Sequence, residues 1–251
     1  MTIVRDFIRR IRLARHVASN GWRFEFHGLE VEIPEGTDSA VANALIRGKY
    51  EAEEAEFISK YLPPDRPVIE LGGSLGIVSS LIGSLLDTDT PHVIIEANAA
   101  LIELCAQNAG RAASQVYCKA LSYDGPTAPF VVKSNPHTSR LSVLRKSGAN
   151  IMEVDAVTLS DLWRDLGAPD GFTLISDIEG AEVALLEQDI KTVSNAGLVI
   201  MELHPSLIEN GSSLVEQIKT TMTEAEFFLV EKKSDVYVWR KCKQPHLTGP
   251  M

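Results

Sequence analysis

Hydrophobic and polar residues alternate in different rhythms along the chain, and each rhythm predicts a kind of element. Residues 24–33 place apolar side chains at every second position on either side of His27–Gly28, which is typical of a half-buried β-hairpin. Residues 38–62 have helical spacing, with an interruption at Arg47–Gly48 and a stop at Pro63–Pro64. The N-terminal part is therefore expected to combine a hairpin with helices.

From residue 68 onward, short apolar runs without strict alternation are separated by stretches of helical spacing. Such runs are typical of strands that are covered on both faces. Their alternation with helices predicts right-handed crossovers and a doubly wound α/β fold with a mostly parallel sheet. Strands are expected at 68–71, 92–96, 116–118, 172–175 and 198–201, and helices at 76–86, 98–112, 158–166, 181–193 and 212–222.

Two further apolar runs, at 226–230 and 235–240, are joined by a short charged turn. In hairpin order they complete a seven-stranded sheet with an antiparallel C-terminal edge. The chain then divides into an accessory segment of helices and a hairpin at 1–62, an α/β domain at 63–243, and a tail at 244–251 that is expected to be disordered.

Residues 3–17 predict a basic amphipathic helix. Its apolar positions recur at helical spacing, and arginines occupy most of the others. The apolar positions are Val4, Phe7, Ile8, Ile11 and Ala14, and the arginines are Arg5, Arg9, Arg10, Arg12 and Arg15. Two interpretations stay open: peripheral contact with an anionic membrane surface or a partner, or a helix packed on the domain with its arginines in solvent.

Composition narrows the class of protein. The 251 residues are 45% hydrophobic and 23% charged, as in an ordinary globular chain, and a net charge of -10 disfavours nucleic acid as a partner. No apolar stretch approaches the roughly 20 residues of a membrane span, and no secretory signal is evident. Three cysteines without a Cys-x-x-Cys pair agree with a reducing cytoplasm. A homo-oligomer is neither predicted nor excluded.

A glycine-rich loop, Glu70-Leu71-Gly72-Gly73-Ser74-Leu75-Gly76, joins the first strand of the α/β part to its helix. Gly72 and Gly73 permit a tight turn and close approach of a ligand, and Gly76 permits close helix packing. Glu70 would repel a pyrophosphate, but it could pair with the amino group and the sulfonium of S-adenosyl-L-methionine. Glu96 follows Gly76 at the spacing at which a carboxylate binds the hydroxyls of an adenosine ribose.

Polar side chains also follow the fourth and fifth apolar runs. Asp177 and Glu179 come after the fourth, and Glu202 and His204 after the fifth, so all four are expected at the carboxyl edge of the sheet. This set suits removal of a hydroxyl proton or capture of a hard divalent cation. A metal is not predicted; if one binds, its ligands would be Asp177, Glu179 and Glu202. The preferred interpretation of Glu182 is a charge that favours the helix dipole.

Together these motifs resemble the FkbM-type methyltransferases over residues 45–205. The residues that carry the resemblance are Gly48-Lys49-Tyr50-Glu51 with Glu54, the 70–76 loop, Ile95-Glu96-Ala97-Asn98, Ala120-Leu121-Ser122, Thr158-Leu159-Ser160-Asp161-Leu162, Asp177-Ile178-Glu179-Gly180-Ala181-Glu182 and Glu202-Leu203-His204. The chain departs from the family at Ser74, where Asn is common, at Ala97, where Pro is common, and at Ile175, where Lys is frequent.

The resemblance implies S-adenosyl-L-methionine as the methyl donor, a class I methyltransferase fold of the Rossmann-like type, and an oxygen acceptor on a sugar, glycan or natural product. It implies that Tyr50 and Glu51 close over the cofactor, and that Ser122 or the backbone of Ala120 and Leu121 approaches the adenine. Residues 133–150 are expected to form a mobile lid or acceptor loop. A nicotinamide-dependent oxidoreductase and a non-catalytic binding protein with the same fold remain the alternatives.

The predicted site has two sets of residues. The cofactor-binding residues are Glu70, Gly72, Gly73, Ser74, Gly76, Glu96, Ala97, Ser122, Tyr50, Glu51 and Asp177, and the catalytic residues are His204, Asp177, Glu179 and Glu202. Among the catalytic residues, His204 or Asp177 is favoured as the base that removes the proton of the acceptor.

Overall fold

The computed structural model describes residues 2–132, 140–141, 150–207 and 211–242. Within these ranges the helices are α1 (Thr2–Asn20), α2 (Ser39–Ile46), α3 (Ala52–Tyr61), α4 (Ile77–Leu85), α5 (Ile102–Ala109), α6 (Leu159–Asp165), α7 (Glu182–Val193) and α8 (Gly211–Glu224). The strands are β1 (Arg23–Phe26), β2 (Leu29–Glu32), β3 (Val68–Leu71), β4 (His92–Glu96), β5 (Ser114–Cys118), β6 (Ala120–Leu121), β7 (Thr127–Val132), β8 (Arg140–Leu141), β9 (Asn150–Val157), β10 (Phe172–Ser176), β11 (Ala196–Glu202), β12 (Phe227–Lys233) and β13 (Val236–Lys241).

The main sheet has seven strands in the order β12-β13-β11-β10-β3-β4-β5. Strands β11, β10, β3, β4 and β5 are parallel, and β13 is antiparallel to both of its neighbours. The predicted doubly wound, mostly parallel sheet with a C-terminal hairpin is confirmed. The last strand lies inside the sheet and β12 forms the edge. The chain runs outward from β3 to β5 and returns to β10 on the other side of β3, which creates a crevice where ligands bind in such folds.

Apolar side chains cover both faces of this sheet. One face packs on α6, α7 and α8 through residues such as Leu162, Leu185 and Ile218. The other face packs on α3 and α4 and also on the N-terminal hairpin, because Phe24 and Val31 belong to the same cluster as Val68. The segment 1–62 thus contributes to the core of the α/β domain.

A second sheet with the order β6-β9-β7-β8 lies between β5 and α6 in the chain, and it was not predicted from the sequence. Pro129 occurs inside β7, where a proline argues against a strand because it cannot donate a backbone hydrogen bond. The strands on either side of the predicted lid pair with each other in antiparallel register. Most of the lid itself, at 133–139 and 142–149, lies outside the described residues, as does the predicted tail at 244–251.

Helix α1 does not pack on the domain through its apolar positions. Leu13 contacts the core, the Arg12 guanidinium donates to Asn43, and Phe7 and Ile8 are 62% and 48% exposed. The helix thus packs on the domain with Arg10 and Arg15 in solvent, as one of the two interpretations expected, but it does so without Phe7, Ile8 and Ile11. Along the described part of the chain, no helix is both long enough and apolar enough to span a membrane.

Candidate active site

A cavity of about 320 Å³ lies at the carboxyl ends of β3, β4, β10 and β11, where the sheet order reverses. Its walls come from the 70–76 loop, from residues 50–54 at the start of α3, from β6, and from the turns after β10 and β11. Open α/β sheets bind their ligands at this position. The predicted residues Tyr50, Glu51, Glu70, Gly72, Gly73, Ser74, Glu96, Ala97, Asp177, Glu179, Glu202 and His204 all line it.

The glycines of the loop bring its backbone against neighbouring strand ends. Gly72 has φ +96°, and a Cβ there would lie 1.9 Å from the carbonyl oxygen of Asp177. At Gly73 a Cβ would lie 2.4 Å from Cγ2 of Ile94. The loop therefore fits between β4 and β10 only without side chains at these two positions.

Gly76 has a different role from the predicted one. It does not line the cavity, and its missing Cβ lets the start of α4 pack on α5, since a Cβ would lie 2.5 Å from the carbonyl oxygen of Cys105. Gly76 therefore lies outside the cavity wall, and its binding to the cofactor stays a prediction. Gly76 was also expected to permit close helix packing, and such packing is present between the start of α4 and α5.

Glu96 is 8% exposed and closes the loop onto β4. One carboxylate oxygen accepts from the backbone N–H of Ser74 at 2.7 Å, and the other accepts from the N–H of Asn98 at 2.5 Å. Burial raises the pKa of this carboxyl, and the backbone donors oppose that shift. Each oxygen retains a second lone pair, so the orientation fits the expected pairing with ribose hydroxyls.

Glu70 lines the cavity, but its carboxylate is engaged inside the protein. Oε1 accepts from the Ser79 hydroxyl at 2.8 Å, and Oε2 lies 2.7 Å from Nε2 of the fully buried His92. The predicted direct pairing of Glu70 with the charged end of a methyl donor is therefore not supported. Glu70 instead ties β3 to β4 and α4.

Ser122 is not part of the cavity wall, whereas Ala120 and Leu121 are. The backbone N–H of Ser122 donates to the carbonyl of Val157, and its hydroxyl accepts from the N–H of Asp124 at 3.4 Å. Ser122 therefore lies outside the cavity wall, and its contact with the cofactor stays a prediction. The alternative, contact through Ala120 and Leu121, fits the geometry.

Ser74 has φ +47°, in the left-handed region. Asparagine enters this region far more readily than serine, so the Asn that the family resemblance implies at this position has a physical reason. Ser74 and Tyr50 both line the cavity.

Replacement of this serine, Ser74→Asn, is expected to raise the free energy of unfolding by about 0.5–1 kcal/mol, because it relieves backbone strain. Urea denaturation measures the change. Ser74→Ala is the matched control and should bring no such gain, since alanine keeps the backbone strain. An asparagine variant no more stable than the serine protein would contradict this explanation.

His204 is held by a carboxylate that was assigned to the helix dipole from the sequence. Its Nδ1 lies 2.8 Å from Oε1 of Glu182, which is 1% exposed and also accepts from the N–H of Gly180 at 3.2 Å. The other ring nitrogen, Nε2, faces Oδ1 of Asp177 at 3.4 Å and Oε1 of Glu202 at 3.9 Å. Glu182 therefore orients the imidazole toward the two carboxylates in the cavity.

One group of side chains in the described part of the chain has metal-ligand spacing. Asp177, Glu202 and His204 offer ligand atoms that all lie within 4.8 Å of one another. Glu179 lines the cavity but does not belong to this group, so the predicted set of Asp177, Glu179 and Glu202 is corrected. Glu179 has φ +45°, which places it at a strained turn.

Removal from water and mutual repulsion shift the ionisation of this cluster. Burial first, and neighbouring carboxylates second, raise the pKa of Asp177, of Glu202 and of Glu51 to about 7 in each case. The same two causes raise the pKa of Glu54 well above its usual range. Burial alone would lower the pKa of His204, but the bond to Glu182 and the charges of Asp177 and Glu202 outweigh it and raise this pKa to about 9.

The cavity is rich in carboxyl groups, and burial and mutual repulsion hold several of them partly protonated near neutral pH. Its carboxyl groups belong to Glu51, Glu54, Glu70, Glu96, Asp177, Glu179 and Glu202, and its basic groups belong to Lys119 and His204. The described atoms also leave Oδ1 of Asp177 buried without a hydrogen-bond partner. Both observations fit a ligand that carries positive charge and hydrogen-bond donors.

Four contributors to the site were missed from the sequence. Glu54, Lys119 and Phe130 line the cavity, and Glu182 holds His204. Glu54 belongs to the sequence pattern of the family resemblance, and that pattern was the signal that could have found it. Glu182 and His204 are on different elements, and Phe130 lies on the strand that was not predicted, so spacing alone gave no signal for them.

Comparison with known proteins identifies a family and several similar structures. A family model described as the methyltransferase FkbM domain matches residues 76–229. A search of curated proteins found no match. Among solved structures, a putative O-methyltransferase from Klebsiella pneumoniae is 12% identical, with 76% of this chain and 81% of that chain covered and a TM-score of 0.47.

Two further solved structures are similar. A methyltransferase from Pyrococcus furiosus is 13% identical, with 93% of this chain and 98% of that chain covered and a TM-score of 0.47. The N-methyltransferase NodS from Bradyrhizobium japonicum WM9 is 9% identical, with 76% of this chain and 96% of that chain covered and a TM-score of 0.44.

Proposed function

The chain belongs to the FkbM methyltransferase family, whose model spans residues 76–229, and from this premise we propose that it transfers the methyl group of S-adenosyl-L-methionine to a hydroxyl oxygen of a saccharide, glycan or natural product. The observation that carries the choice of cofactor is the excess of carboxylates around the cavity. S-adenosyl-L-methionine presents a sulfonium and an ammonium group, both positively charged. A nicotinamide dinucleotide presents an anionic pyrophosphate, which these carboxylates would repel.

The residues that would hold the donor follow from the wall of the cavity. Glu96 has free lone pairs for the ribose hydroxyls, and the backbone of Gly72 and Gly73 permits close approach of the ligand. Apolar contact for the adenine comes from Leu121 and Phe130. Glu51 and Asp177 supply negative charge for the cationic end.

The residues after β10 and β11 would prepare the acceptor. An alcohol is a weak nucleophile, so a base must take its proton as the new bond to carbon forms. Asp177 suits this role because its pKa is about 7, close to neutral pH, and its Oδ1 has no hydrogen-bond partner within the described residues. His204, held by Glu182, faces the same Oδ1 at 3.4 Å through Nε2, so it would position Asp177 by its charge and not by a hydrogen bond.

Glu96 and the 70–76 loop would hold the donor, which when bound would supply an electrophilic methyl group with a neutral thioether as the leaving group. The proton of the acceptor hydroxyl passes to the carboxylate of Asp177. Alignment of the hydroxyl within the cavity supplies most of the acceleration. The arrangement of Glu182, His204 and Asp177 favours an enzyme over a non-catalytic binding protein, because binding alone does not need a positioned base.

We expect the binding of S-adenosyl-L-methionine to strengthen as the pH rises from about 6 to about 8, because the carboxyls of Asp177, Glu202 and Glu51, with pKa values of about 7, lose their protons in this range. S-adenosylhomocysteine, which lacks the sulfonium charge, is the control and should show a smaller change. Calorimetric titration of both ligands across this range measures the difference. Equal pH dependence of the two would contradict the role of these carboxylates.

The same shifts have a consequence for the ligand-free fold. Folding raises the pKa of Asp177 from 3.8, and those of Glu202 and Glu51 from 4.5, to about 7. Their contribution to stability is therefore present at acidic pH and is lost as the pH rises through 7. A bound cation offsets this loss, so stabilisation by the donor should grow with pH in parallel with its affinity.

The acceptor class is tested by transfer of a deuterated methyl group from labelled S-adenosyl-L-methionine. The acceptors are a panel of saccharides, lipid-linked saccharides and hydroxylated natural products, and mass spectrometry locates the label. We expect the label as an ether on a hydroxyl oxygen. Label found only on nitrogen, for instance on amino sugars in the same panel, would overturn the oxygen specificity and leave the family assignment in place.

A further inference from the structure

Helix α1 presents a strip of large apolar side chains to solvent. Phe7, Ile8 and Ile11 are 62%, 48% and 38% exposed, and Ala14 continues the strip at helical spacing. Soluble surfaces seldom place three large apolar side chains together on one exposed helix face. We define this apolar strip as Phe7, Ile8, Ile11 and Ala14. Its exposure indicates an interaction surface.

The orientation of the strip is fixed by the opposite side of the helix. The Arg12 guanidinium donates to Oδ1 of Asn43 at 3.2 Å, and the Asn43 amide donates to the carbonyl of Arg9 at 3.0 Å. Further along, the His16 ring stacks on Phe24 with ring centroids 4.3 Å apart, and Nε2 of His16 lies 2.7 Å from the carbonyl of Arg23. These contacts hold the strip outward.

Exposed basic side chains lie beside the strip. Arg10 and Arg15 are both exposed, on a helix that carries five arginines and one aspartate in its sequence. The whole chain has a net charge of -10. An anionic surface would therefore attract this helix while repelling most of the rest of the protein.

From this combination we propose that α1 docks on a bilayer that contains anionic lipids. The helix lies in the plane of the interface, with Phe7, Ile8 and Ile11 inserted among the acyl chains and the arginines paired with lipid phosphates. Charge favours this occupant over a second copy docked strip to strip, because that contact would bring the arginines of two identical helices together. The docking does not depend on which reaction the cavity carries out, although Val41 of the neighbouring α2 lines that cavity.

The test is sedimentation of the full chain with phosphatidylcholine vesicles that contain or lack phosphatidylglycerol. We expect binding to the anionic vesicles that weakens with salt, and much weaker binding to the neutral ones. The double variant Phe7→Ser with Ile11→Ser should lower the partition coefficient at least about tenfold. Arg10→Glu with Arg15→Glu should remove the preference for anionic lipid.

Phe228→Ser is the matched control, because Phe228 is a phenylalanine of similar exposure, 49%, on the distant edge strand β12. It should bind vesicles like the unmodified chain. All variants should retain the affinity for S-adenosyl-L-methionine, so failure of the docking proposal and failure of the proposed function give different results.

Three outcomes would overturn the proposal. The first is that the unmodified chain stays in the supernatant with both kinds of vesicle. The second is that it binds neutral and anionic vesicles equally. The third is that sedimentation velocity shows self-association that the Phe7→Ser, Ile11→Ser variant loses, while vesicles bind neither protein. In that case the strip is a contact between copies of this chain.

Discussion

Replacement of Asp177 by asparagine is expected to lower kcat by a factor of about 10²–10⁴, the contribution of a positioned general base. The amide of the variant would keep the shape of the side chain but could not take the proton of the acceptor hydroxyl. The substitution would also remove the charge that faces Nε2 of His204 at 3.4 Å. Turnover with labelled methyl donor, measured on the acceptor that the panel identifies, gives the change in kcat.

The control for Asp177→Asn is Glu187→Gln, which removes one carboxylate from an exposed position on α7. It should leave kcat unchanged. The affinity for S-adenosylhomocysteine should stay within a few-fold in both variants, because that ligand has no sulfonium charge. A kcat within about threefold of the unmodified value in Asp177→Asn would show that another group takes the proton.

The effect of a chelator on turnover distinguishes two versions of this mechanism. If Asp177 acts as the base, prior treatment with chelator leaves kcat unchanged. If a divalent cation on Asp177, Glu202 and His204 lowers the pKa of the acceptor instead, chelator abolishes turnover and added Mg²⁺ or Mn²⁺ restores it. We expect the first result.

The substitution Gly72→Ala is expected to destabilise the fold by about 2–5 kcal/mol and to abolish binding of the methyl donor. The new Cβ would lie 1.9 Å from the carbonyl oxygen of Asp177 at a φ of +96°. Asp177 has little freedom to move, since its backbone N–H donates to the carbonyl of Leu71 at 2.9 Å. Urea denaturation and calorimetric titration measure the two effects.

Gly36→Ala is a matched control for backbone strain without a clash. Gly36 has φ +84°, and a Cβ there would have no atom within 4 Å. This variant should cost only about 1–2 kcal/mol and retain the affinity for the donor. If Gly72→Ala behaves like Gly36→Ala in both measurements, the close contact between the loop and β10 is not essential to the site.

Much of the fold could be predicted from the sequence because its strands are buried on both faces. The apolar runs at 68–71 and 172–175 are strand interiors without alternation, and they signal a parallel sheet directly. The small second sheet gave a weaker signal. Pro129 interrupts β7, and β8 has only two residues, so its formation depends on tertiary pairing that local propensity does not show.

The position of the polar residues at the carboxyl edge of the sheet could be predicted because it follows from the topology. Parallel strands place the residues after them at one edge, which is why Asp177 and His204 were expected together. The directions of individual side chains were not predictable. Glu70 turns toward His92 and Ser79, and Glu182 turns toward His204, because burial of each carboxylate requires a partner that only the tertiary structure supplies.

Helix α1 shows a second property that the pattern of apolar positions does not predict, the side of a helix that faces the domain. Its periodicity correctly predicted the helix but not which side would face the domain, since Leu13 and the ring of His16 supply contacts that the apolar strip does not. A long polar side chain such as Arg12 can also pack through its methylene groups. The orientation therefore had to come from the structure.

The most direct test of the central claim is calorimetric titration of the cavity with S-adenosyl-L-methionine, S-adenosylhomocysteine, NAD⁺ and NADP⁺ at about pH 8, where the carboxyls of Asp177, Glu202 and Glu51 are largely ionised. We predict saturable binding of the two adenosyl ligands, tighter for the sulfonium, and no binding of the dinucleotides. Saturable binding of a dinucleotide alone would contradict the assignment of this cavity to a methyl donor.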